Sequence, residues 1–147
     1  NLRFFMSTVT PIDEEYVHEE SVIISQTDLK GVITYANQKF CEVSAYKIDE
    51  LIGQPHSLIR HPSMPKAAFA KMWQTIKSGQ MWNGLVKNLR KDGLYYWVDA
   101  EILPIRNEEE EITGYMAVRK RASRKNIIET EEIYNKMLEE ERVEEKQ

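Results

Sequence analysis

The chain has 147 residues, 41% hydrophobic and 30% charged, enough for one domain with a sizeable core plus appended segments but cramped for two. Lysine and arginine number 20 against 24 acids, and the net charge of −4 gives no support for a nucleic-acid or anionic-membrane partner. A single Cys41 excludes an intramolecular disulfide, and no run approaches the roughly 20 apolar residues of a membrane span, so a soluble cytoplasmic fragment is expected.

Residues 1–21 are read as an N-terminal cap or an adventitious remnant. Their opening lacks the basic-then-apolar layout of a signal peptide, and residues 7–20 are too polar for core and suit a cap segment or short helix. The β-branched run at 22–27, a turn at 28–31 and a second strand pattern at 32–35 predict a β-hairpin. Asn37 then caps a helix carrying Phe40, Val43 and Ser44 on one side, with no breaker before Gly53, and residues 49–53 read as one turn stopped by that glycine.

Residues 53–73 combine an Arg60-His61 pair with Pro62 and Pro65, then an apolar helical run. Each proline pushes its predecessor toward extended geometry, and Pro65 suits a helix start, so a shaped loop feeds a helix N-terminus with free amides. Phe69, Met72, Trp73 and Ile76 give that helix one apolar face, ending near Ser78-Gly79. Strands at 82–90 and 94–103 flank a Lys-Asp-Gly turn, Pro104 is expected to end the second, residues 107–111 form a solvated connection, and 112–121 close the sheet. The expected fold is α+β: a five-stranded antiparallel sheet with short helices on one face.

Ser123 is positioned to cap a final helix, making 123–147 a charged C-terminal segment after a domain at 22–122. Residues 124–147 hold five basic and eight acidic side chains, so most of the acid excess belongs to this tail. Ile127, Glu131, Tyr134 and Leu138 mark one face, flanked by Ile133 and Met137, which suits packing on the domain or on a second copy. The basic junction from Arg119 to Lys125 is expected to find its acids in residues 108–111 or in the tail's glutamates.

Enzyme and metal readings fare poorly. His56, Ser57 and His61 share a prolyl loop without the geometry of a nucleophile, base and orienting acid, and the spacing of the two histidines is not that of a zinc site. The chain also lacks a Gly-x-Gly-x-x-Gly fingerprint and a P-loop, so a dinucleotide would be bound by another route.

The run P-H-x-x-x-R-H-P-x-M-P-K-A-A-F-A-x-M-W is long and odd in composition. Together with Asn37, Trp82-x-Gly84, Lys87-Asn88-x-Arg90-Lys91-x-Gly93, Tyr96-Trp97-Val98 and Gly114-Tyr115-Met116, it resembles the flavin-binding PAS domain of bacterial aerotaxis receptors, over residues 25–122. The resemblance implies a PAS fold whose inner sheet face holds FAD non-covalently. It also implies redox or oxygen sensing for aerotaxis, a downstream signalling module in the same receptor, a homodimer, and no catalysis.

For such a ligand, Arg60 offers a planar fork to phosphate, and His61 donates alongside or fixes the loop. Phe69, Trp82 and Tyr96 wall the ring, while Asn37 and Asn88 each donate and accept at its polar edge. Trp73 and Trp97 are assigned to core packing. Ser63 stands where the family's motif reads Arg-His-Pro-Asp, and it keeps a hydrogen bond without the charge. Cys41, on the early helix, is expected to be a small buried residue that forms no photoadduct. The alternatives are a ligand-independent PAS interaction module and a haem-binding gas sensor with His56 or His61 as axial ligand.

Overall fold

The early hairpin forms as the β-branched pattern predicts: β1 (Ile23–Asp28) pairs antiparallel with β2 (Ile33–Ala36). Asp28 shapes the turn by accepting from the Lys30 and Val32 amides through Oδ1. The computed structural model describes residues 9–146; the first eight residues and Gln147, at the ends of the cap and of the charged tail, lie outside it. Residues 9–20 contain no helix, and Glu15 bridges to Tyr95. Contrary to the polar reading of this stretch, His18 is buried, with its Nε2 3.2 Å from the Trp97 carbonyl.

Asn37 caps α1 (Gln38–Ser44), and the buried face is Phe40, Val43 and Ser44. The helix stops well short of Gly53 because Ala45 adopts φ 67°, a left-handed conformation that ends it, and a separate turn, α2 (Ile48–Leu51), follows. Residues 53–61 then cross the inner face from one sheet edge to the other. At the β2 edge Ile33 donates to Gln54 and His56 donates to Gly31; at the far edge Arg60 bridges to Asn88 and His61 donates to Lys87. A 3₁₀ turn (His56–Ile59) lies between. Helix α3 (Lys66–Lys77) follows, with Pro65 at its N-cap.

β3 (Trp82–Leu89), β4 (Tyr95–Arg106) and β5 (Ile112–Arg121) form the antiparallel meander. Its strands complete a sheet of order β2-β1-β5-β4-β3. Pro104 does not end β4. Pairing with β3 stops at Ile102, so Pro104 lies where β4 has β5 as a neighbour on one side only, and a missing donor is tolerated there.

The core between sheet and helices contains Phe40, Leu51, Ile59, Tyr96 and Val98, each buried. Burial of one such large apolar side chain contributes about 1.5–3 kcal/mol. The other sheet face receives α4 (Arg124–Glu145), capped by Ser123. Ile127 packs with Leu85, Trp97 and Ala122, and Tyr134 stacks on Trp97 with ring centroids 6.4 Å apart. The inward side of α4 is Ile127, Thr130, Tyr134, Met137, Leu138 and Glu141; Glu131, expected on it, is exposed.

Candidate functional site

Strand alternation decides what the inner sheet face offers. Ser25 and Thr27 on β1, Val86 and Asn88 on β3, Ala100 and Ile102 on β4, and Tyr115, Ala117 and Arg119 on β5 point to the same side. The small Ala100 and Ala117 leave room above the sheet. Phe69, Met72, Trp73 and Ile76 of α3 face them, and His56 and Arg60 of the crossing segment close the remaining side. Between these walls lies a cavity of about 330 Å³.

Arg119 occupies the interior end. Its Nη2 donates to Ser25 Oγ at 2.8 Å and approaches His56 Nε2 to 2.7 Å, and Ser25 Oγ is itself 3.1 Å from that nitrogen. Since a guanidinium only donates, Nε2 is the acceptor and the imidazole proton sits on Nδ1. Burial first, and the neighbouring Arg119 and Arg60 charges after it, push the His56 pKa down to about 3, so the ring is neutral. Burial also lowers Arg119, to about 10, which leaves it charged.

At the other wall the Arg60 guanidinium lies 3.8 Å from the centroid of the Phe69 ring. Arg60 Nε and Arg119 Nη1 are both buried without a hydrogen-bond partner. Lys30 adds a third cation, and the described lining residues include no carboxylate.

Of the eight residues singled out from the sequence, Arg60, Phe69 and Asn88 line the cavity; Asn37, His61, Ser63, Trp82 and Tyr96 do not. Asn37 is engaged with the backbone, Oδ1 accepting from Ile24 and Phe40 and Nδ2 donating to Val22. His61 Nδ1 accepts from the Ser63 amide at 3.0 Å and meets Ser63 Oγ at 2.8 Å. Burial pushes the His61 pKa down to about 4. Trp82 folds over Gly84, where an added Cβ would lie 2.5 Å from its ring. Tyr96 is fully buried and hydrogen-bonds Asn88, and burial pushes its pKa up to about 12.

Sequence reasoning missed several wall residues. Trp73, assigned to the core, stands on the cavity wall with its ring edge-to-face on Tyr115 at 5.7 Å. Arg119 was hidden in a basic run, yet it shares the strand parity of Tyr115 and Ala117, and that period-two signal places it inward. Ser25 becomes visible only once β1 is registered against β5, with Ser25 opposite Ala117. Cys41 is half-buried, and burial raises its thiol pKa.

The donor set fits a ligand with a flat apolar body and acceptor or anionic groups, FAD included. Phe69, Met72, Trp73 and Ile76 flank the space, and the unpaired nitrogens of Arg60 and Arg119 supply donors.

Comparison with known proteins agrees with this architecture. The chain is 49% identical over 116 residues to the aerotaxis receptor of Escherichia coli strain K12, covering 79% of this chain and 23% of the receptor. It is 36% identical over 104 residues to the nitrogen fixation regulatory protein of Klebsiella pneumoniae, covering 71% of this chain and 21% of that protein. The chain thus spans less than a quarter of the length of these curated relatives. In structure it is similar to the light state of the LOV domain of the blue-light photoreceptor Aureochrome1, with TM-score 0.65 at 20% identity, covering 82% of this chain and 91% of that one. A PAS domain from Colwellia psychrerythraea gives TM-score 0.59 at 24% identity, covering 69% and 86%. The family model for the PAS fold matches residues 14–121, and the chain belongs to that family.

Proposed function

We propose that this PAS domain is a non-catalytic sensor that binds FAD non-covalently in the sheet cavity and passes its redox state to a signalling module of a longer, homodimeric receptor serving aerotaxis. The observation that carries the reading is electrostatic. In a chain of net charge −4, the described cavity lining holds Lys30, Arg60 and Arg119 and no acid, with two buried donors left over. A buried charge without a partner is strongly destabilising, so the arrangement makes sense with an acceptor-rich or anionic ligand. The motif resemblance and the 49% identity to the E. coli aerotaxis receptor support flavin as that ligand.

In this reading Arg60 and Lys30 serve the pyrophosphate, the apolar α3 face holds the ring, and Asn88 and Arg119 meet the ring's polar edge. The bound flavin supplies reversible electron uptake. The protein's part is to hold the ring away from water and to register the change in its acceptors, each hydrogen bond being worth about 0.5–1.5 kcal/mol net. Haem is disfavoured because His56 Nε2 is engaged by Arg119 and Ser25, and His61 does not line the cavity. The domain is assigned to the cytoplasm, and no helix among the described residues is long and apolar enough to cross a membrane.

An absorption spectrum of purified protein, followed by reconstitution with FAD, tests the reading. Flavin bands are expected. A colourless protein that takes up no flavin overturns it and leaves the interaction-module reading.

A further inference from the structure

Helix α3 begins without a cap of its own. Pro65 offers no side-chain acceptor, the first turn contains no acid, and Lys66 places a positive charge at the positive end of the helix dipole. The missing acceptor arrives from 74 to 75 residues away: Glu141 of α4 accepts from the Lys66 amide through Oε1 and from the Ala67 amide through Oε2, both at 3.2 Å. Glu145, one helical turn further on, lies 3.9 Å from the Lys66 ammonium. Two turns before Glu141, the Tyr134 hydroxyl donates to the Leu85 carbonyl of β3 at 2.6 Å.

These two attachments lie on opposite walls of the cavity. α3 contributes Phe69, Met72, Trp73 and Ile76 to one wall, and β3 contributes Val86, the residue after Leu85, to the other. One rigid helix therefore spans from the sheet to the end of the helix that covers the cavity. Any change in the gap between α3 and β3 must bend α4 or break one attachment, and the exposed carboxylate contact is the weaker of the two.

On the reading that the cavity holds a flavin, we propose that α4 is a clamp on the filled cavity: Glu141 holds α3 at the spacing a ligand requires, and ligand occupancy in turn holds α4 docked. With nothing between them, the apolar walls gain contact by settling together, which draws the Lys66 and Ala67 amides away from Glu141. Coupling of this kind is reciprocal, so the factor by which the clamp tightens ligand binding is the factor by which ligand favours the clamp. Glu141 is thus a positioning residue that never touches the ligand, and the segment continuing beyond α4 would receive the signal as docking or release.

The test uses Glu141→Gln, which keeps the shape and removes the charge, beside Glu139→Gln, a control whose carboxylate, among the described residues, pairs with Arg142 of its own helix. FAD titration is expected to show affinity weakened roughly two- to fivefold in Glu141→Gln, through faster release, and unchanged in Glu139→Gln. Hydrogen exchange across residues 134–145 is expected to slow on adding FAD to the unmodified protein and to respond less in Glu141→Gln. Equal affinity in Glu141→Gln and the unmodified protein, or α4 exchange indifferent to FAD, overturns the clamp. If no flavin is taken up, the flavin reading fails by itself. The clamp is then decided by Ala117→Leu, which fills the cavity from its floor: slowed exchange at 134–145 upholds it, and unchanged exchange overturns it. The same variant decides the matter if Glu141→Gln loses protection throughout the sheet.

Discussion

Arg119 donates to Ser25 and His56 through one nitrogen, while the other has no acceptor among the described residues. A buried guanidinium facing a neutral imidazole has given up hydration without gaining a counter-charge, and this sets a cost borne by the ligand-free protein. Arg119→Met is accordingly expected to leave the flavin-free domain as stable as before or more stable by about 1–2 kcal/mol, read by urea unfolding. The same substitution removes a charge-assisted hydrogen bond worth about 1.5–3 kcal/mol, so FAD affinity falls roughly 10- to 100-fold. A domain that loses both stability and affinity would show that the bonds to Ser25 and His56 outweigh the desolvation. Arg60 differs, because its plane rests on Phe69 and its charge lies nearer solvent. Occupancy measured by bound flavin absorbance is expected to rank unmodified, Arg60→Lys, then Arg60→Ala, since lysine keeps the charge but not the fork. Equal occupancy in all three would remove Arg60 from the phosphate role. Arg60 and Phe69 were nameable from the sequence because they lie in one dense motif; Arg119, Ser25 and His56 were not nameable as a group, since strand register assembles them from three distant segments.

At the level of elements, the turn residues and periodicities fixed most boundaries, and the departures have local causes. Ala45 breaks a helix with no proline or glycine to announce it, and the Ser44 hydroxyl accepts from the Tyr46 amide just beyond. Of the basic junction, Arg124 forms its ion pair with Glu15 at 2.7 Å, a partner that requires knowing where the N-terminal segment runs, and the tail's Glu131 adds only a weaker electrostatic attraction. Strand parity separates the exposed Lys120 from the buried Arg119, while Arg121, of the same parity as Arg119, is exposed at the last residue of β5. Helix α4 was legible as one-sided, but its inner face includes Thr130 and Glu141 rather than Glu131, because packing on a twisted sheet selects the face. Tyr134→Phe is expected to cost about 0.5–1.5 kcal/mol by leaving the Leu85 carbonyl without its donor. The ring stack on Trp97 survives that change, so the loss should appear as faster exchange confined to α4 and its contacts. Uniformly faster exchange through β1 and β2 would mean that α4 belongs to the cooperative core.

For the whole molecule, acid is the condition that reaches the site and the fold together. The ordinary histidine pKa is 6.5, and in the folded chain His56 is held down to about 3 and His61 to about 4, in both cases chiefly by burial. The groups that add to this are Arg119 and Arg60 beside His56 and Lys87 beside His61, with Asp13 opposing at His61. Between these values and 6.5 the unfolded chain binds more protons than the folded one, so stability increases with pH across that interval. Their contribution is complete above about pH 6.5, is lost progressively as pH falls, and levels off once the folded values are passed. The depressed carboxylates Asp92 and Glu50 act from their ordinary values of 3.8 and 4.5 downward, at the acid end of that window, and lie largely in solvent, where screening leaves them little weight. Urea unfolding at pH 7.5, 5.5 and 4.5 should therefore show a steady loss of stability, and His56→Gln, whose amide oxygen can still accept from Arg119, should make the profile shallower. A protonated His56 would abandon its bond to Arg119 and add a fourth cation to Lys30, Arg60 and Arg119 around the cavity. Because His56 stays neutral in the folded chain until the pH approaches about 3, flavin release through this group is expected only there, at the acid end of the unfolding range. A pH profile as steep in His56→Gln as in the unmodified chain would assign the acid sensitivity elsewhere and leave His56 as packing alone.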